Sequence, residues 1–125
     1  KKRIKIHLGN WEDLLPKMKQ QGLVFDGVVY DGYPLEIDEI HRDSVRFLYS
    51  LIRFKLVAQK TGIITFFLDS ADGFGNSFQR FLQRLGVNDM QVKKVNLNPP
   101  KRKTTLWSEK FAYAPLLTDI HYDED

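Results

Sequence analysis

Three polar positions each stand just beyond a segment that reads as a strand. Asn10 follows Arg3–Leu8 and Gly9, Asp31 follows Leu23–Tyr30, and Asp69 follows Ile63–Leu68. A carboxylate at such a place is suited to holding a cation, because it accepts from two donors at once and can pair with a planar guanidinium in a fork. In open α/β sheets, ligands bind beyond the carboxyl ends of the strands, so this shared placement is the most informative chemical feature of the sequence. Each position also has a plain structural use. Asp31 before Gly32 suits a turn, Asp69 with Ser70 suits the cap of a following helix, and Trp11 beside Asn10 suits core or staple packing.

Other chemistries lack their residues. His7, His41 and His121 have no metal-ligand spacing and no HExxH is present, so no metal site is expected. With no Cys, a disulfide scaffold, a cysteine-ligated zinc site and a thiol nucleophile are excluded. Ser44 and Ser70 stand in no G-x-S-x-G elbow. The run from Asp69 to Gly73 lacks the alternating ligands and final Glu of a calcium loop. Gly73-Phe74-Gly75 has no following Lys, so it is not a phosphate loop. Lys101-Arg102-Lys103 reads as a solvated turn.

The elements that must position these residues follow from periodicity. Arg3–Leu8 alternates basic and apolar and predicts a short strand. Trp11–Gln20 predicts a helix with Asn10 as its N-cap and Glu12 and Asp13 in its first turn; Pro16 weakens its continuation and Gln21-Gly22 closes it. Leu23–Tyr30 is nearly all apolar and predicts a strand of a parallel sheet, buried on both faces. Arg42–Gln59 predicts a helix, with Val45, Leu48 and Ile52 on one stripe and Phe47, Leu51 and Phe54 beside it. Ile63–Leu68 predicts a second buried strand. Phe74, Phe78, Phe81, Leu82 and Leu85 form a helical stripe that reads as core packing, ended by Gly86. Met90–Leu97 and Phe111–Leu117 predict an antiparallel pair joined through Lys101–Ser108, with Pro115 marking an edge or a bulge. The order β-α-β-α-β-α-β-β implies an α/β sheet with an antiparallel addition.

Composition bounds the class. A chain of 125 residues, 42% hydrophobic and 28% charged, is one domain or part of one, and is neither disordered nor collagen-like. Nine Phe, five Tyr and two Trp supply a well-stocked core. Nineteen Lys and Arg against sixteen Asp and Glu give +3, dispersed except at Lys1-Lys2-Arg3 and Lys101–Lys103, so no dense basic face marks a nucleic-acid binder. No apolar run approaches the roughly eighteen residues of a membrane span, and no signal peptide is visible. The lack of Cys fits a reducing compartment, and a cytoplasmic location is expected.

Three stretches together resemble a known family. They are Gly9-Asn10-Trp11-Glu12-Asp13, the string FDGVVYDGYP at 25–34, and Asn98-Pro99-Pro100 with FAYAP at 111–115. They are similar to guanidinoacetate N-methyltransferase and the related fungal-type arginine N-methyltransferases, in order and spacing across the whole chain; FDGVVYDGYP is the specific element. The resemblance implies a Rossmann-like class I methyltransferase sheet, three-layer α/β/α, using S-adenosylmethionine to methylate a guanidino or amino group of a small molecule or an arginine side chain. It implies Asp31 as the carboxylate that holds the guanidino group and as the catalytic residue, with Tyr33, Leu68 and Asp69 as further substrate contacts. It implies Gly9, Asn10 and Trp11 as the contact for the adenine end of the cofactor. Where the family tends to carry neutral Asn-Leu, this chain has Leu68-Asp69. An acidic side chain repels a carboxylate, which leaves the substrate open.

The family's glycine-rich turn, its ribose carboxylate and its N-terminal acidic substrate ligand have no counterpart in these residues. The chain is expected to begin at the third strand of the order 3-2-1-4-5-7-6 and so to lack the first two. Arg3–Leu8 would then have no neighbour, and Leu23–Tyr30 would have an open edge awaiting a missing N-terminal segment or a partner chain. The alternative reading is a non-catalytic domain that uses the scaffold, and that edge, for interaction. A weaker third is a small nucleotide- or nucleic-acid-binding protein using its basic loops.

Overall fold

The computed structural model describes residues 3–31, 40–66, 75–96 and 111–122. Helix α1 spans Trp11–Gln20, strand β1 Gly27–Tyr30, helix α2 Ile40–Arg53, strand β2 Ile63–Phe66, helix α3 Asn76–Leu85, strand β3 Val87–Asn96 and strand β4 Phe111–Ile120. The four strands form one sheet in the order β1-β2-β4-β3. The β1–β2 pair is parallel, while β4 runs antiparallel to both of its neighbours. That order is the 4-5-7-6 end of the expected sheet.

Register explains where the core sits. Val28, Ile64, Leu117 and Met90 stand side by side across the sheet, and Tyr30 is level with Phe66. This row faces the helices: Phe47 of α2 stacks on Tyr30 at 4.2 Å between ring centroids, Trp11 of α1 meets Phe47 edge-on at 5.4 Å, and Phe78 of α3 meets Phe66 at 6.2 Å. All three described helices therefore cover one face. Of the expected α/β/α layers, the described residues form the sheet and one helical layer.

Each helix presents an apolar stripe at helical spacing. In α2 it is Phe47, Leu48, Leu51 and Ile52, all buried, with Val45 and Phe54 half-buried beside it; in α3 it is Phe78 and Leu82, with Phe81 and Leu85 packed against the core. The α3 stripe is core packing, as its spacing implied. Gly86 ends α3 at φ +99°, and a Cβ there would run into the His121 carbonyl oxygen, so only glycine fits.

Four expectations are corrected. Arg3–Leu8 joins no strand among the described residues, and Ile4 and Leu8 are 78% and 96% exposed, because a strand needs a neighbour to bond with. Leu23–Tyr30 is a strand only over Gly27–Tyr30, with Phe25 bridged to Val57, and it is buried on one face alone. Val29 points away from the helices and is 65% exposed.

The helix expected over Arg42–Gln59 stops at Arg53. Lys55 turns left-handed at φ 53°, its N–H donates to the Ile52 carbonyl (2.9 Å), and the Leu56 N–H donates to the Leu51 carbonyl (3.1 Å). This pattern caps the helix and drives Leu56 and Val57 into the core, where both are fully buried.

Pro115 lies in a central strand, not at an edge. Its carbonyl accepts from Thr65 Oγ1 (2.7 Å), so its backbone faces β2, whose ladder with β4 is registered at Ile64–Leu117 and Thr65–Leu116. The missing N–H therefore removes no bond from the long β3–β4 ladder.

Candidate functional site

The turn before α1 begins at Gly9, whose φ of +143° suits glycine. Asn10 takes the extended N-cap backbone, and its carbonyl accepts from the N–H groups of Asp13 (3.1 Å) and Leu14 (3.0 Å). Its side chain makes no capping bond and is exposed. Trp11 is half-buried. One edge of its ring packs on Phe47, and the Arg46 guanidinium lies 5.9 Å over the ring. Arg46 also pairs with Glu12 at 3.4 Å, with both side chains 56% exposed, so this bridge adds little stability.

Asp31 follows β1 directly and is exposed. Its position is set by Tyr30, whose ring is buried on Phe47 and whose hydroxyl donates to the Asp43 carboxylate in the first turn of α2. Neighbouring side chains of an extended segment point to opposite sides, so anchoring Tyr30 inward turns the chain at Asp31 outward. The Tyr30 hydroxyl is held un-ionised well above its usual range. Burial is the main cause, followed by the hydrogen bond to Asp43 and that residue's charge; a hydrogen bond from Trp11 and the charge of Arg46 act the other way.

Phe47 thus joins the two expected site segments. Trp11 of the Gly9–Trp11 turn and Tyr30, the residue before Asp31, meet on its ring. Tyr30, the last residue of β1, is also level with Phe66 of β2. Tyr33, Leu68 and Asp69 lie outside the described residues, as do Asn98–Pro100 and Lys101–Lys103. Sequence reasoning missed Tyr30, Asp43 and Phe47 as supports of the site. Asp43 was legible only as a residue favourable to the helix dipole, and Phe47 only as part of an apolar stripe.

Two grooves adjoin α1. One of about 430 Å³ lies between the helices and is lined by Trp11, Pro16, Arg46, Tyr49 and Phe81, among others. The other, about 350 Å³, runs between α1 and β1, where Leu14, Met18, Val28 and Val29 make it almost wholly apolar. Neither is lined by Asp31. Among the described residues no three His, Cys, Asp or Glu side chains gather as for a metal ion, and no helix is long and apolar enough to cross a membrane.

Known proteins share this pattern. The sequence signature of the guanidinoacetate N-methyltransferase family matches residues 1–102. Over 101 residues the chain is 31% identical to protein arginine N-methyltransferase 2 of Yarrowia lipolytica, covering 74% of this chain and 20% of that protein. The chain therefore spans about a fifth of the curated relative it matches. Among solved structures it is similar to M1.HpyAVI in its SAM complex, with a TM-score of 0.54 and 18% identity over 89% of this chain and 52% of that one. A second crystal structure of M1.HpyAVI gives a TM-score of 0.54 and 17% identity over 90% and 55%. That likeness is one of fold. Joined to the family match over residues 1–102 and the strand order β1-β2-β4-β3, it leads to one assignment: the chain belongs to the guanidinoacetate N-methyltransferase family, and its sheet is the 4-5-7-6 portion of the class I methyltransferase fold.

Proposed function

We propose that this chain supplies the guanidino-binding part of an S-adenosylmethionine-dependent N-methyltransferase acting on a small guanidino compound or an arginine side chain. The observation that carries the reading is the exposed Asp31 at the end of β1, one residue beyond a tyrosine whose ring and hydroxyl are both held by α2, on the same Phe47 that Trp11 packs against. The family match and the arginine N-methyltransferase relative support the substrate class. The fold shared with a protein solved as its SAM complex supports the cofactor.

A guanidinium loses its proton only above about pH 12 and offers donors alone. The Asp31 carboxylate would take two of those donors, fix the plane of the group and favour loss of a proton as nitrogen is alkylated. S-adenosylmethionine, when bound, supplies the electrophilic methyl group. Gly9, Asn10 and Trp11 would meet its adenine end: Gly9 lets the backbone approach closely, and the Asn10 amide is uncommitted to capping. Tyr33, Leu68 and Asp69 complete the substrate contacts in this reading.

The test is Asp31→Asn in a methyl-transferring protein that contains this chain. The change keeps the shape and removes the charge. Losing one partner of a charged hydrogen bond that bound substrate buries costs about 2–5 kcal/mol, so methyl transfer should fall at least tenfold with folding intact. Full activity would reduce Asp31 to a turn residue.

A second reading, a non-catalytic interaction module, is favoured by the exposed Val29 and Ile63 on the face opposite the described helices and by the outer edge of β1, which has no strand partner among the described residues. Calorimetry of a protein that contains this chain with S-adenosylmethionine separates the two: heat of binding supports the enzyme, and its absence supports the module.

A further inference from the structure

We propose that the Tyr30–Asp43 hydrogen bond is the positioning device for the strand-end carboxylate, so that Tyr30 acts on catalysis through Asp31 without touching substrate. This rests on the guanidino-binding reading of Asp31. The two partners stand thirteen residues apart in the chain, one at the end of β1 and the other in the first turn of α2. Their bond ties the strand to the helix across residues 32–39. The ring of Tyr30 is held independently by its stack on Phe47, with centroids 4.2 Å apart and planes 19° from parallel. Phe47 is held in turn by Trp11, at 87° and 5.4 Å.

A buried aromatic stack fixes where a ring lies but tolerates sliding in its own plane, since the contact is spread over many weak pairs. A directed hydrogen bond to an ionised carboxylate removes that freedom. Sliding of Tyr30 would carry Asp31 with it, because the next residue shares its peptide plane. A carboxylate that must align a planar guanidinium for in-line attack is sensitive to small displacements, and misplacement by about 1 Å can cost some 100-fold in rate. Trp11 and Phe47 therefore set the depth of the strand end, and Asp43 sets its direction.

The experiment compares Tyr30→Phe, Asp43→Asn, Asp43→Ala, Asp31→Asn and the double variant Tyr30→Phe/Asp31→Asn in a full-length protein carrying this chain. Guanidinoacetate and an arginine-containing peptide serve as methyl acceptors. Tyr30→Phe keeps the stack and removes the hydroxyl; kcat should fall about tenfold, while affinity for S-adenosylmethionine changes less than about twofold. Asp43→Ala should match it. Asp43→Asn, whose amide oxygen still accepts from the hydroxyl, should keep at least about a third of the rate.

The discriminating result is coupling. With Asp31 already neutralised, Tyr30→Phe should cost less than about threefold more, since there is no carboxylate left to position. An unaltered rate for Tyr30→Phe overturns the proposal, and so does a loss that multiplies fully with that of Asp31→Asn. If Tyr30→Phe fails to fold by circular dichroism, Asp43→Ala and the double variant Asp43→Ala/Asp31→Asn decide by the same criterion. Full activity of Asp31→Asn would instead overturn the guanidino reading, and the positioning role with it. Loss in Asp31→Asn alone, with Tyr30→Phe untouched, removes only the positioning role.

Discussion

At the scale of single residues, Tyr30 makes a pH-dependent contribution whose sign is fixed. Its hydroxyl ionises well above the ordinary 10.0 in the folded chain, chiefly through burial and then through Asp43, against smaller opposing effects of Trp11 and Arg46. Burial likewise raises Tyr122, whose hydroxyl donates to the Val57 carbonyl and accepts from the Val57 N–H at 3.0 Å. A raised folded value means that the unfolded chain loses these protons first. Stability from both groups is therefore fully present below about pH 10 and is lost as pH rises past it. Melting followed by circular dichroism between about pH 8 and 11 should show a falling Tm above pH 10. Tyr30→Phe should flatten that fall while lowering Tm at pH 8; an unchanged slope would mean that Tyr30 ionises freely. Asp31 was legible in the sequence because it closes an apolar run before glycine. The Tyr30–Asp43 bond was not, because it depends on how α2 docks against β1, which no local pattern encodes.

Elements were legible where their periodicity was unbroken, and misjudged where a chain end was decided by tertiary packing. Helix α1 matches its predicted Trp11–Gln20 span, and α3 ends at Gly86 as expected. The end of α2 was hidden because the apolar pattern runs on through Leu56 and Val57, residues that are buried as part of a capping turn and not as helix. That turn places Lys55 at φ 53°, which is costly for a side chain with a Cβ. Lys55→Gly should raise stability by about 0.5–1 kcal/mol in urea unfolding, and a loss would show that the lysine side chain supports the turn. Gly86 is the opposite case. Its left-handed backbone, and the clash that a Cβ would make with the His121 carbonyl, leave Gly86→Ala no relaxed conformation. The substitution should cost about 2 kcal/mol or more in the same assay, and a cost under about 0.5 kcal/mol would mean that the β4 end yields easily.

For the whole molecule, the dominant feature among the described residues is a sheet whose three described helices all lie on one face. The family resemblance made the strand order legible, yet the burial of Leu23–Tyr30 was overstated, because a nearly continuous apolar run says that both faces want cover without saying what covers them. On the face opposite the described helices Val29, Thr65 and Leu116 stand in one row across the sheet, Val29 exposed and the other two half-buried, with Ile63 45% exposed in the same layer. The outer edge of β1 has no partner among the described residues, and the apolar groove of about 350 Å³ beside it is flanked by α1. Unpaired backbone groups next to exposed valine form a template for pairing with another strand, a hazard that edge strands usually blunt with charge. The 125-residue chain on its own should therefore self-associate at roughly micromolar concentrations and bind an apolar dye such as ANS. Val29→Lys puts a charge on the exposed side of β1 without touching the core, which lies on its other side. It should shift sedimentation toward the monomer and weaken dye binding, with the far-ultraviolet circular dichroism unchanged. A chain that is monomeric and dye-silent with Val29 in place would show that this face is satisfied by its own residues and needs no completing strand.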